Sequence, residues 1–287
     1  MMNNEDALSI SRIVRLALTE DLGDIGDITS RAIFDRSQQG RAVIKSKDTG
    51  VLSGAYLLRP IFHAIDGSLT LTITGRDGQT LEKGTRICTI EGCVQSILAG
   101  ERIALNFLQR LSGIATATAG LVNRISHTGA KLLDTRKTTP LLRRLEKRAV
   151  LDGGGANHRF GLFDMMLIKD THVKAAGGVA PALTKAKSFA AGMKAPVKIE
   201  IEVQTWDEFM EALRFAPDRV MLDNMDPQLL ARCVSHVRGK GPAVELEASG
   251  AITEATIVSV AETGVDYISV GAITHSIKAL DIHLVIE

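Results

Sequence analysis

The chain has 287 residues, 45% hydrophobic and 23% charged, with a formal net charge of +1. Such a chain can bury a full core, in one domain or two, and its balance is that of an ordinary soluble globular protein. Near-neutral charge and 4% aromatic residues argue against a nucleic-acid partner, which calls for a basic surface and rings for stacking.

The start, MMNNEDALS, is polar and acidic, unlike a secretory leader. Residues 6 to 20 then place Leu8, Ile10, Ile13, Val14, Leu16 and Leu18 at largely helical spacing. In the following DLGDIGDITS, Asp21, Asp24 and Asp27 lie three apart, whereas an EF-hand loop alternates its acids, so this is a turn. RAVIKS at 41 to 46, SLTLTITG at 68 to 75 and TRICTI at 85 to 90 read as strands. Asp77-Gly78 signals a hairpin between the last two, and AYLLRPIFHAI at 55 to 65 looks helical despite Pro60. This first part is α+β with an antiparallel sheet. SILAGERIALNFLQRL at 96 to 111 predicts an amphipathic helix, and ATATAGLVNRIS a second one after Gly113.

Beyond that point short apolar runs alternate with helices. The runs are KLLD at 131, MMLIKD at 165, VKIEIEV at 197, RVMLDN at 219, AVELEASG at 243 and DYISVGA at 266. The helices lie near 179 to 191, 205 to 215, 227 to 237 and 253 to 263. Repeated βα units predict a parallel sheet. Ile199, Ile201 and Val203 share one strand face; Lys198, Glu200 and Glu202 share the other, and Glu245, Glu247 and Ser249 repeat the pattern. A doubly wound sheet reads apolar on both faces, so a barrel with a polar lumen fits better. Six strands can be counted. Their C-terminal ends, where barrels build sites, carry Asp134 with Arg136 and Lys137, then Lys169, Glu202, Asp223, Ser249 and Gly271.

The segment from Asp134 to Lys174 concentrates positive charge in a nearly neutral chain, which suggests a pocket for an anion. On a helix from Leu141, the residues Leu142, Leu145 and Ala149 face inward, leaving Arg144, Lys147 and Arg148 as a solvated face. Arg136, Lys137, His158, Arg159 and Lys169 fall instead at strand ends or in glycine-rich turns. Opposite them, Glu202 and Asp223 on neighbouring strands suit a Mg²⁺-bridged phosphate. Ser249-Gly250 and Gly271-Ala272 follow the last two strands, where barrels often bind phosphate, although glycine there is as often only a tight turn. GGGANHR lacks P-loop spacing, no HxxxH suggests zinc, and no G-x-S-x-G elbow is present. Cys88, Cys93 and Cys233 form no CxxC pair and read as buried apolar residues in a reducing cytoplasm. No apolar run reaches the about 20 residues of a membrane helix.

DTRKTTP, RRLEKRAV, GGGANHRFGLFD and LIKDTH closely resemble quinolinate phosphoribosyltransferase, and EDLGDIGDITS, ERIALNFLQRLSGIAT, MLDN, LEASGAI and TGVDYISVGAITHSIKALDI extend the resemblance along the chain. The resemblance implies an N-terminal α/β sandwich domain over 1–112, completed by 276–287, and an open seven-stranded α/β barrel over 113–275. It implies transfer of phosphoribosyl from PRPP to quinolinate, with release of pyrophosphate and CO2. By the same resemblance Arg136, His158 and Arg159 hold the quinolinate carboxylates, joined by Arg102 from a partner subunit of a homodimer or higher oligomer. Lys137 and Lys169 contact PRPP at the reaction centre, Glu202 and Asp223 bind Mg²⁺ and ribose hydroxyls, and Ser249, Gly250 and Gly271 hold the 5′-phosphate. Of these, only Arg102 has no signal in spacing, lying mid-helix. A paralogous group from molybdate-transport operons tends to lack the lysine of LIKD, and Lys169 argues against it. Leu141, Arg148 and Thr171 stand where the family usually has Gly, Tyr and Asn; a Leu at 141 resists backbone geometry that Gly allows, so the 138 to 142 loop is expected to be ordered differently.

Overall fold

The computed structural model describes residues 4–240 and 243–287. The first half of the chain runs α1 (Asn4–Leu22), α2 (Ile28–Ile33), β1 (Gln39–Ser46), β2 (Gly50–Val51), α3 (Leu58–Ile65), β3 (Thr70–Ile73), β4 (Thr80–Leu81), β5 (Arg86–Cys93) and α4 (Val94–Arg124). Then come β6 (Lys131–Leu133), α5 (Arg143–Asp152), β7 (Met166–Ile168), α6 (Asp170–Ala176), α7 (Val179–Ala191), β8 (Ile199–Val203) and α8 (Trp206–Leu213). The chain ends with β9 (Arg219–Asp223), α9 (Pro227–Lys240), β10 (Glu245–Ser249), α10 (Ile257–Ala261), β11 (Tyr267–Ser269), α11 (Ala272–His275) and β12 (Ile282–Ile286). Two compact units emerge: the chain up to Ala119 with Thr139–Gly154 and Ile277–Glu287, and Gly120–Thr138 with Gly155–Ser276. No helix among the described residues is long and apolar enough to cross a membrane.

The first unit is built on an antiparallel sheet of order β12-β1-β5-β3. Val43 stands between Val285 and Thr89, so the last strand of the chain edges the sheet. Ile44, Ile87 and Ile90 are fully buried, as are Leu58, Ile61 and Phe62 of α3. Asp77-Gly78 does not close a tight hairpin. β3 and β5 do pair (Leu71 with Ile90), but their connection carries β4, which pairs away with β2. Asp77 instead accepts the Ala55 amide through Oδ1 at 2.8 Å. The two helices expected around Gly113 are one helix of 31 residues. A Cβ at Gly113 would meet the Lys278 carbonyl oxygen at 2.4 Å, so the glycine admits a neighbouring backbone and does not end the helix.

The segment 139–154, which the resemblance includes in the barrel domain, clusters with this first unit. Arg110 of α4 donates to Glu146 Oε1 from Nε (2.8 Å) and Nη2 (2.6 Å), and Ser53 donates to Asp152 at 2.6 Å. The solvated face expected for α5 is also corrected. Lys147 is 3% exposed, Arg144 is half-buried, and the Arg148 guanidinium lies 4.2 Å over the Tyr56 ring. The helix starts at Arg143, two residues later than expected, because Leu141 has φ +67°. Leu141 therefore adopts the left-handed geometry that glycine favours, with its side chain exposed.

The second unit is a parallel sheet of order β6-β11-β10-β9-β8-β7. β6 and β7 are its two edges, so the barrel is open. A seventh position is marked by one bridge, Leu133 with Ala156, on the free side of β6. Ile201, Val220, Leu222, Leu246 and Ile268 are wholly buried on one face. The alternate residues form a polar lumen, and Glu200 and Glu247 within it are equally inaccessible. The last barrel helix is shorter than its sequence pattern suggests, α10 covering only Ile257–Ala261.

Candidate active site at the barrel mouth

A cavity of about 620 Å³ opens at the C-terminal ends of the strands. Its lining includes Arg136, Lys137, His158, Arg159, Lys169, Glu202, Asp223, Ser249, Gly250 and Gly271. Thus ten residues from six strand ends and one irregular loop meet in one concavity, as the C-terminal face of a barrel requires. Arg102 does not line it; it is exposed on α4.

On the cationic side, burial and the like charge of Arg136 pull Arg159 below its ordinary value. Arg159 donates to the Met165 carbonyl at 3.1 Å. Two guanidiniums held close enough to repel each other form a receptor for an anion. Lys137 is anchored through its main chain, its carbonyl accepting the Thr274 hydroxyl at 2.8 Å.

On the anionic side, Lys169 Nζ lies 4.0 Å from Glu202 Oε2. Burial, then the Asp223 charge, lift the Glu202 carboxyl above its usual range, with Lys169 opposing. Asp223 accepts from Asn224 Nδ2 at 2.7 Å and from Gln204 Nε2 at 3.3 Å. Two mutually repelling carboxylates with only oxygen donors fit a hard divalent cation such as Mg²⁺.

The corner around Gly250 and Gly271 is shaped by backbone. Gly250 has φ +95°, and a Cβ there would meet Asn224 Oδ1 at 2.2 Å. Glycine is therefore required twice over. Gly271 has no left-handed backbone (φ −68°), but its Cβ would come within 2.9 Å of Lys137 Cδ. Asn224 and Ala251 themselves take positive φ, +54° and +47°. Non-glycine residues in that region cluster at functional sites.

Sequence reasoning singled out neither Asn224 nor His275, which also line the cavity, and it placed Glu200 and Glu247 on the lumen face without a role. His158 Nε2 lies 3.1 Å from Glu200 Oε2 and 3.4 Å from Glu247 Oε2. Arg219 donates to Glu247 at 2.9 Å and to Glu245 at 3.1 Å. Burial opposes a charged imidazole, but hydrogen bonds to Glu200 and Glu247 outweigh it and raise His158. Burial, then the Glu247 charge, lift Glu200 to about 7. His158, Glu200 and Glu247 have a donor set that could grip a metal, but the His158 ring already lies against both acids and Arg219 against Glu247.

Fold and site together define an open α/β-barrel protein whose cavity sets a cationic cluster against a carboxylate pair. Residues 27–112 match the quinolinate phosphoribosyl transferase N-terminal domain, and residues 114–285 its C-terminal domain. The chain is 41% identical over 290 residues to quinolinate phosphoribosyltransferase [decarboxylating] 1b of Nicotiana tabacum, covering 96% of this chain and 81% of that one. It is 41% identical over 278 residues to the probable nicotinate-nucleotide pyrophosphorylase [carboxylating] of Bacillus subtilis, covering 96% and 93%. The solved nicotinate-nucleotide pyrophosphorylase of Francisella tularensis superposes with a TM-score of 0.92 at 42% identity, covering 100% of this chain and 98% of that one. The chain belongs to the quinolinate phosphoribosyltransferase family.

Proposed function

We propose that the barrel site transfers the phosphoribosyl group of PRPP to the ring nitrogen of quinolinate and decarboxylates the product, giving nicotinate mononucleotide, pyrophosphate and CO2 for NAD biosynthesis. The observation that carries this reading is the meeting of a repelling cation cluster, a carboxylate pair and a glycine-shaped corner in one cavity. Each matches one part of the two substrates.

Arg136 and Arg159 hold the two quinolinate carboxylates, with His158 beside them setting the position of Arg159. Ser249, Gly250 and Gly271 receive the 5′-phosphate. Lys137 and Lys169 contact PRPP beside the reacting carbon. Glu202 and Asp223 are the residues that would hold Mg²⁺ and the ribose hydroxyls. A bound divalent ion there supplies charge neutralisation for the diphosphate. The bond from the ribose carbon to pyrophosphate breaks, and its electron pair leaves with pyrophosphate. The pyridine nitrogen donates its lone pair to that carbon. The bond to the 2-carboxylate then breaks as CO2 departs, and its electron pair is held at C2 beside the quaternised nitrogen until a solvent proton arrives. No side chain need act as general base. The residues orient two anions that would otherwise repel each other and stabilise the charge that moves.

Arg102 completes the carboxylate clamp from a second copy of the chain, which makes the working form a homodimer or a larger assembly of dimers. Incubation with quinolinate carrying labelled carbon in its 2-carboxylate, PRPP and Mg²⁺ tests the reading. Labelled CO2 and nicotinate mononucleotide should appear in equal amounts; neither appearing in the presence of folded protein would overturn it.

A further inference from the structure

Glu200 and Glu247 have no substrate to touch in the roles above, yet both are fully buried beneath the cations of the site. Two acids under an anion site should weaken it unless they do something for it. Arg219 and Glu245 already form a self-sufficient pair with Glu247, and Tyr267 donates to Glu245 at 3.0 Å. Glu200 is different. Among the described residues its one ion-pair partner is His158, at 3.1 Å.

The imidazole has two edges. Nε2, facing two carboxylates, must carry a hydrogen. On the other edge the Arg159 main-chain N–H donates to Nδ1 at 2.7 Å, so Nδ1 presents a lone pair. One neutral tautomer suits both edges: the carboxylates pull His158 upward, but the Arg159 N–H leaves no place for a second ring hydrogen on Nδ1. The His158 amide in turn donates to the buried Asp134 carboxylate at 2.8 Å. These two side-chain contacts pin consecutive amides in a stretch, residues 157 to 165, that has no helix or strand of its own. Second-layer carboxylates orient histidines in the same way at metal sites, fixing tautomer and ring plane.

We propose that Glu200, assisted by Glu247, is a positioning residue for recognition of the pyridine dicarboxylate: it fixes the His158 tautomer, which fixes the main chain that presents Arg159. The inference rests on the assignment of Arg159 to a substrate carboxylate, with His158 acting on it through the main chain. It deepens that reading by assigning the Glu200–His158–Arg159 chain to dicarboxylate recognition and leaving PRPP recognition to the Glu202–Asp223 pair.

Glu200 is the residue to change, because Arg219 keeps Glu245 and Glu247 without it. Glu200→Leu should raise KM for quinolinate about tenfold while KM for PRPP stays within about threefold. Glu200→Gln keeps an oxygen that can accept from Nε2 and should return the quinolinate KM to within about threefold of the parent value. Circular dichroism and Tm of both variants report folding. In the parent protein, nitrogen-15 NMR of histidine, with the His158 signals assigned by their loss in His158→Gln, should show hydrogen on Nε2 and none on Nδ1. Equal changes in both KM values, or hydrogen on Nδ1, would overturn the proposal even if Glu200→Leu proved unstable. Arg159→Ala serves as the control. If it binds quinolinate normally, the carboxylate assignment falls and this inference with it. If it loses quinolinate while Glu200→Leu does not, only the positioning role falls.

Discussion

Gly250 shows how little freedom the site has at a single position. Its backbone is left-handed, and the space a Cβ would fill is occupied by the Asn224 side chain, which holds Asp223. Gly250→Ala should therefore move Asn224, release the Asp223 carboxylate and weaken PRPP binding, with backbone strain of about 1–3 kcal/mol in addition. Isothermal titration with PRPP and Mg²⁺ checks this; unchanged affinity would mean the loop relaxes freely. Selectivity is also decided at this scale. Arg136 and Arg159 stand close enough to repel each other, so a ligand with one carboxylate leaves part of that charge unmatched. Leaving a buried polar group unsatisfied costs roughly 1–3 kcal/mol, more for a charged one. Nicotinate should consequently be turned over at least about tenfold less efficiently than quinolinate, a ratio that kcat/KM for the two acids measures directly. Leu141 makes the opposite point. It takes a backbone conformation suited to glycine with its side chain in solvent, so the family's usual glycine is not needed to form that turn.

At the scale of elements, β8 and β9 bring Glu202 and Asp223 to adjacent strand ends. Changing both to alanine should cost PRPP and Mg²⁺ use far more than quinolinate binding, and calorimetry showing the reverse would exchange the two subsites. The strands themselves were legible because a period of two is local: Ile199, Ile201 and Val203 announce a face in five residues. What lies opposite was only half legible. Glu200 and Glu202 look alike in sequence, and the curling of the sheet, a nonlocal event, buries the first completely and leaves the second at the mouth. The same limit explains Gly113, read as a break but used as a close-packing position, and α5, whose charged face is covered by its own unit. Arg148 there lies over Tyr56 beside Asp77 and Asp152, both raised chiefly by burial. For an acid whose folded value is raised, the stability present while it is protonated is lost as pH climbs from the unfolded value of about 3.9 through the folded one. Arg148 offsets that loss. Arg148→Leu should then lower Tm by several degrees at pH 8 and by less at pH 4.5. Equal shifts at both values would leave packing over Tyr56 as its whole contribution.

The whole molecule raises the question of how many chains make one site. The cavity of the second unit is lined without Arg102, and Arg102 is an exposed residue of α4, fastened by the buried Ile97, Leu105 and Leu108. If it were an ordinary surface arginine, removing it would change stability by no more than about 0.5 kcal/mol and activity not at all. If it clamps a quinolinate carboxylate in a partner's barrel, an isologous dimer has two shared sites, each drawing on both chains. Arg102→Ala and Arg136→Ala should then each be nearly inactive alone, with Tm close to the parent's. Mixed and allowed to exchange subunits, they should recover activity. In a mixed dimer one site carries both lesions and the other neither. Random pairing of equal amounts makes about half the dimers mixed, so roughly a quarter of all sites should be intact. Activity of the mixture should rise toward that fraction with the time course of subunit exchange, which native mass spectrometry of a mass-labelled partner follows independently. Exchange without recovery would confine Arg102 to its own subunit, or remove it from the site altogether.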